Sequence, residues 1–115
     1  AYRSTSCGCF ARNAFHHCGR CVPCLIRRAA FHAWGQADQS QYVFDNLAID
    51  DDRHRGFDDV RAACLAVERY SAEGIQRFVG ASLNSHQLGD LIPYRGLVER
   101  SLRELEAYLH SVGVL

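Results

Sequence analysis

The chain has 115 residues, and its thirteen basic side chains, all arginine, balance thirteen acidic ones to a formal net charge of zero. Hydrophobic residues make up 48% and charged residues 23%, a composition that suits one globular domain and excludes a disordered chain. Neutrality argues against a broad electrostatic footprint for nucleic acid or anionic membrane, and no apolar run approaches the ~20 residues of a membrane-spanning helix.

From Ala1 to Cys21 the chain lacks periodic apolar residues, and the expectation there is an irregular segment organised by metal. Pro23–Trp34 is predicted to be helical, because proline suits a first helical position and Gly35 suits a stop. Residues 36–45 read as loop, with Tyr42-Val43-Phe44 a short extended piece, and the run Asp50-Asp51-Asp52 reads as a solvated turn. A second helix is expected from Phe57 to Tyr70, where Phe57, Val60, Cys64, Val67 and Ser71 share one face and Cys64 points inward. A third covers Ala72–Leu83, with Ile75, Phe78 and Val79 on one side and Asn84-Ser85 closing it. The last and clearest covers Pro93–Ser111. Its apolar residues Val98, Leu102, Leu105, Leu109 and Val112 step by 4, 3, 4 and 3. That seam is short for a sustained coiled coil, so packing within the chain is favoured over a homodimer through it. The expected architecture is mainly α: a cysteine-rich zinc-knuckle loop followed by about four helices. Residues 1–35 form the cysteine cluster with its helix, and 36–115 form the helical remainder of one compact domain.

Cysteine placement carries the chemistry. Cys7, Cys9, Cys18, Cys21 and Cys24 fall within the first twenty-four residues, and Cys64 stands alone. A disulfide scaffold would spread its cysteines to staple distant segments, whereas this clustering favours metal. The residues from Ala1 to Ser6 lack the charged-then-apolar layout of a signal peptide, so a reducing, cytoplasmic compartment is expected. Cys18-Gly19-Arg20-Cys21 is a Cys-x-x-Cys knuckle whose glycine permits the tight turn that brings two thiolates to one ion. Cys24 falls in the first turn of the Pro23 helix, where unpaired backbone N–H groups stabilise a thiolate. The fourth ligand is Cys7 or Cys9. His16 and His17 are secondary candidates that the supply of thiols makes unnecessary. Arg20, Arg27 and Arg28 are placed to offset the negative charge of four thiolates. Zinc is favoured over an iron–sulfur cluster, because the proline here precedes Cys24 and no cysteine stands four residues after it.

The run Cys18-Gly-Arg-Cys-Val-Pro-Cys-Leu-Ile-Arg-Arg resembles the zinc-binding C-terminal region of the 7-cyano-7-deazaguanine synthases. It is most similar to their QueC-like relatives in the Qat anti-phage defence system. The pattern of that family is Ser-Cys, a loop, then Cys-Gly-x-Cys-x-x-Cys-x-x-Arg, met here by Ser6-Cys7, Cys18-Gly19, Cys21, Cys24 and Arg27. Weaker likenesses lie at Gly35–Tyr42 and from Val98 to Leu115. The Ser-Cys context favours Cys7 as fourth ligand, while the eight-residue gap common in the synthases favours Cys9; Cys7 is placed slightly ahead. The resemblance implies a bacterial protein and an ATP-pyrophosphatase domain, upstream or in a partner chain, that converts a carboxylate to a nitrile. Its Ser-Gly-Gly-x-Asp-Ser phosphate loop is not in these residues, so ATP would bind in that other half and Arg20, Arg27 or Arg28 could at most add phosphate contacts.

The expectation is therefore a structural zinc domain, a fragment or subunit of an ATP-dependent enzyme, with no catalytic residue of its own. An alternative is a stand-alone zinc–helix module that binds protein or nucleic acid. Neutral charge counts against nucleic acid.

Overall fold

The computed structural model describes residues 9–12, 14–48, 57–80 and 92–115. Cys7, the aspartate run at 50–52 and the Asn84-Ser85 stop lie outside them. The described residues form five helices: α1 (Cys9–Arg12), α2 (Val22–Trp34), α3 (Asp58–Glu73), α4 (Ile75–Val79) and α5 (Ile92–Ser111). The architecture is mainly α with a cysteine-rich N-terminal region, and no strand longer than an isolated bridge occurs among the described residues.

Each long helix forms for a local reason. In α2, Pro23 sits in the first turn; at the other end the Gly35 N–H donates to the carbonyls of Phe31 and His32, and its left-handed φ of 78° turns the chain out of the helix. In α3, Asp58 and Asp59 occupy the first turn, where the helix dipole favours negative charge. The buried positions of α3 are Val60, Ala63 and Val67, with Cys64 at their edge. Ser71, expected on that face, is exposed at the end of the row, and Ala63 is buried on it. The Cys64 thiol donates to the carbonyl of Val114 at 3.6 Å and ties the C-terminal end of the chain to α3.

The helix expected over Ala72–Leu83 is divided differently. The chain of α3 runs on to Glu73 and breaks at Gly74, whose φ of 81° and ψ of 165° no helix accommodates. A short new turn, α4, then begins at Ile75 and presents Val79 to the interior. The N-terminal segment expected to be irregular contains one helical turn, α1, followed by left-handed residues at Ala14 and Phe15.

One core joins the helices. Leu25 and Ala29 of α2, Val60, Ala63 and Val67 of α3, and Leu105, Tyr108 and Leu109 of α5 pack together, with Leu47 and Phe57 closing the ends. Leu102 is buried as well, and Val112 packs against the core. The apolar seam of α5 from Leu102 to Val112 thus packs within the chain, chiefly against α2, while Val98 is half-buried. On the wet side Arg103 donates to Glu99, which also accepts the Tyr70 hydroxyl of α3. The consequence for the site is that Cys24 and Leu25 are adjacent: the helix that supplies a sulfur also supplies the central core residue.

Candidate metal centre

Cys9, Cys18, Cys21 and Cys24 converge so that their four Sγ atoms all lie within 4.8 Å of one another. Cys9 comes from α1, Cys18 and Cys21 from the knuckle, and Cys24 from the first turn of α2. Cys24 is fully buried, Cys9 and Cys18 nearly so, and Cys21 is partly exposed. No disulfide joins the described cysteines.

The spacing can be tested against a metal. Four sulfurs at about 2.3 Å around one tetrahedral ion stand about 3.8 Å apart along each edge. Three of the six separations are 3.5 Å for Cys9–Cys24, 3.8 Å for Cys9–Cys21 and 3.9 Å for Cys18–Cys24, and the others are no longer than 4.8 Å. These residues fit a single ion with four thiolate ligands. An ion held by all four sulfurs would have no corner left for water or substrate.

Backbone N–H groups prepare the sulfurs for negative charge. Cys18 Sγ accepts from the N–H groups of Arg20 and Cys21 at 3.4 and 3.3 Å, and Cys9 Sγ accepts from the N–H of Cys18 at 3.3 Å. Burial opposes ionisation of Cys18, yet those two N–H groups and the neighbouring thiols prevail and bring it down to about 7. Burial pushes Cys21 up to about 11, reinforced by the charge on Cys18. Burial drives Cys24 further up. One thiolate therefore forms readily in the chain alone, and a second and third need a cation among them.

A loop closes over the knuckle. His17 donates its N–H to the carbonyl of Gln41 and accepts from Val43, and Phe44 donates to the carbonyl of Cys18, which makes the isolated bridge between His17 and Tyr42. The extended piece expected at Tyr42-Val43-Phe44 is thus a lid on the cysteine turns. Gly19 lies beneath it with φ at 87°, and a Cβ there would stand 2.7 Å from the carbonyl oxygen of Phe44.

The arginines hold this lid. Arg28 donates to the carbonyls of Gly19, Phe44 and Asp45 at 2.9, 3.1 and 2.7 Å, and its guanidinium lies 4.3 Å from the centre of the Tyr42 ring. Arg27 donates twice to Ser40 Oγ. Arg20 lies over the Phe44 ring at 3.8 Å and within 5.2 Å of Phe57. Arg28 and Arg27 are structural ties in this conformation. The sequence contained one signal for Arg28, its position four residues after Cys24 and hence on the same helical face. Nothing local pointed to Phe44 and Tyr42 as its partners. His17 is buried beside the knuckle and His16 is exposed; neither belongs to the four-residue cluster. Of the two cysteines left open for the fourth corner, Cys9 stands there, and Cys7 lies outside the described residues.

Among the described residues no helix is long and apolar enough to cross a membrane. No protein-family model, curated protein or solved structure matches the chain.

Proposed function

We propose that the chain is a structural zinc domain in which Cys9, Cys18, Cys21 and Cys24 hold one zinc ion and so fix the knuckle, the 36–48 loop and α2 in register. The observation that carries this is the convergence of four sulfurs within 4.8 Å, three of their separations lying between 3.5 and 3.9 Å, which suits one tetrahedral ion. Zinc is preferred among such ions because all four donors are thiolates and the site has no open position for exchange. Bound zinc supplies no reaction step here. It neutralises half the thiolate charge and converts its binding energy into folding energy.

We further infer, from the Cys-Gly-x-Cys-x-x-Cys-x-x-Arg run, that the domain serves a 7-cyano-7-deazaguanine-synthase-like protein of the QueC-like, anti-phage type. ATP would bind to a pyrophosphatase domain upstream or in a partner chain. The exposed apolar side chains Val22, Ile26 and Trp34 on α2 support a partner-bound state, because a helix apolar on its outer side as well is normally covered. The same side chains would serve the alternative of a stand-alone module that binds protein. Titrating ATP with magnesium into the zinc-loaded chain tests the first reading. No saturable binding is expected at physiological salt, and turnover is expected only when an ATP-pyrophosphatase domain is added. Micromolar ATP binding by these residues alone would contradict it, and so would a pyrophosphatase domain that gains nothing from the zinc-loaded chain.

A further inference from the structure

The four sulfur-bearing residues are unequally sheltered. Cys24 is 0% exposed, Cys9 4% and Cys18 7%, whereas Cys21 is partly exposed. Position explains the difference. Cys24 lies beside Leu25 at the edge of the core, and the loop and Arg28 that close the knuckle bond to His17, Cys18 and Gly19. Cys21 comes after those ties, at the cap of α2, and the next two residues, Val22 and Pro23, are exposed. Solvent and the solutes it carries reach the cluster at this corner.

Charge then sorts the solutes. Thiolate sulfur is a nucleophile, and four thiolates around a dication carry net negative charge. The Asp59 carboxylate adds to it, accepting the Val22 N–H at 3.1 Å, one residue from Cys21. Arg20 opposes it in part, with its guanidinium 3.8 Å from the centre of the Phe44 ring. The balance repels anionic reagents and leaves a small neutral electrophile unhindered. A second sulfur stands within reach of any product formed there, since Cys9 Sγ is 3.8 Å from Cys21 Sγ.

We propose that Cys21 is a modification site for small neutral hydroperoxides, and that its oxidation closes a disulfide onto Cys9 and releases the metal. This rests on the four-cysteine zinc reading of the site. The Cys21 thiolate attacks one peroxide oxygen: an S–O bond forms, the O–O bond breaks and hydroxide leaves, giving a sulfenic acid. The Cys9 thiolate then attacks the Cys21 sulfur: an S–S bond forms, the S–O bond breaks and a second hydroxide leaves. Two thiolates have given up two electrons, and the peroxide has taken both. The ion keeps its charge and loses two of its four corners, and with it the knuckle loses its anchor. A thiol reductant reverses the step, so the exposed corner makes a structural site responsive to oxidant.

The test uses the full chain loaded with zinc and hydrogen peroxide as the probe. Zinc content is measured first, and a chain that holds no metal removes the four-cysteine reading and this proposal together. The loaded chain then receives less than one equivalent of peroxide. Zinc release is followed with a chromogenic indicator, and the remaining thiols are trapped with N-ethylmaleimide and mapped by mass spectrometry. Cys21 is expected to lose its thiol first among the four, with a Cys21–Cys9 bond and one zinc freed for each bond formed. Cys7 and Cys64 are mapped separately, since oxidation at either alone should free no zinc. Reductant with added zinc should restore the metal content. A loaded chain in which Cys9, Cys18 or Cys24 is oxidised while Cys21 is still alkylated would overturn the proposal alone. So would Cys21 oxidised with zinc retained, zinc that stays on four intact thiols under excess peroxide, or release as fast with anionic glutathione disulfide.

Discussion

The carbonyl oxygen of Phe44 stands 2.7 Å from the point where a side chain on Gly19 would begin. Gly19 therefore answers two demands at once, the positive φ of the cysteine turn and the close passage of the loop above it. Gly35 has a similar φ of 78° but open space around it. Gly19→Ala should cost about 2–4 kcal/mol, the sum of left-handed strain and a backbone clash, whereas Gly35→Ala should cost only about 1–2 kcal/mol. Denaturant melts of the zinc-loaded variants measure the difference, and equal losses would show that the loop does not press on the knuckle.

Arg28 tests the lid itself. Three carbonyls converge on its planar fork, and a lysine ammonium in its place could not reach all of them from one position. Arg28→Lys should lower stability by about 1.5–3 kcal/mol and speed amide exchange at Phe44. Arg27→Lys, which loses contacts to a single hydroxyl, should change stability by less than about 1 kcal/mol. If the two variants behaved alike, Arg28 would be a surface charge and not a clasp.

Much of this arrangement was legible in the residues because its causes are local. Pro23 and Gly35 delimit α2, the Leu102–Leu105–Leu109 spacing marks the buried side of α5, and the Cys18–Cys21–Cys24 spacing sets three sulfurs on one turn and the helix that follows. The misplaced elements depend on longer-range facts. Gly74 breaks a stretch whose apolar period runs through it, and the buried row of α3 ends at Val67, one turn before Ser71. The lid on the knuckle joins residues 16 to 26 positions apart, through backbone carbonyls that every residue possesses, so no side-chain pattern could announce it.

The choice of fourth ligand is decided by single substitutions. Cys9→Ser should release the metal, because the Cys9 sulfur is 3.5 Å from Cys24 and 3.8 Å from Cys21. Cys7→Ser should retain one ion per chain. Zinc release measured with a chromogenic chelator distinguishes the two, and the reverse outcome would assign the corner to Cys7.

Proton release accompanies binding if the thiol chemistry is as described. In the metal-free chain Cys21 is held up to about 11 and Cys24 higher, so both carry protons at pH 7.5, while Cys18 at about 7 is already mostly ionised. Ligation must displace at least those two protons. Calorimetry in two buffers of different ionisation enthalpy should therefore find two or more protons released per ion, and affinity should fall as pH falls. Release of fewer than one proton would mean that the thiols are not the ligands.

The most direct measurement is X-ray absorption at the zinc edge on the purified protein, paired with elemental analysis. One zinc per chain is expected, with a first shell of four sulfurs at about 2.3 Å and no nitrogen or oxygen contribution. A shell containing imidazole or water, iron accompanied by inorganic sulfide, or a freshly reduced protein that holds no metal would contradict it.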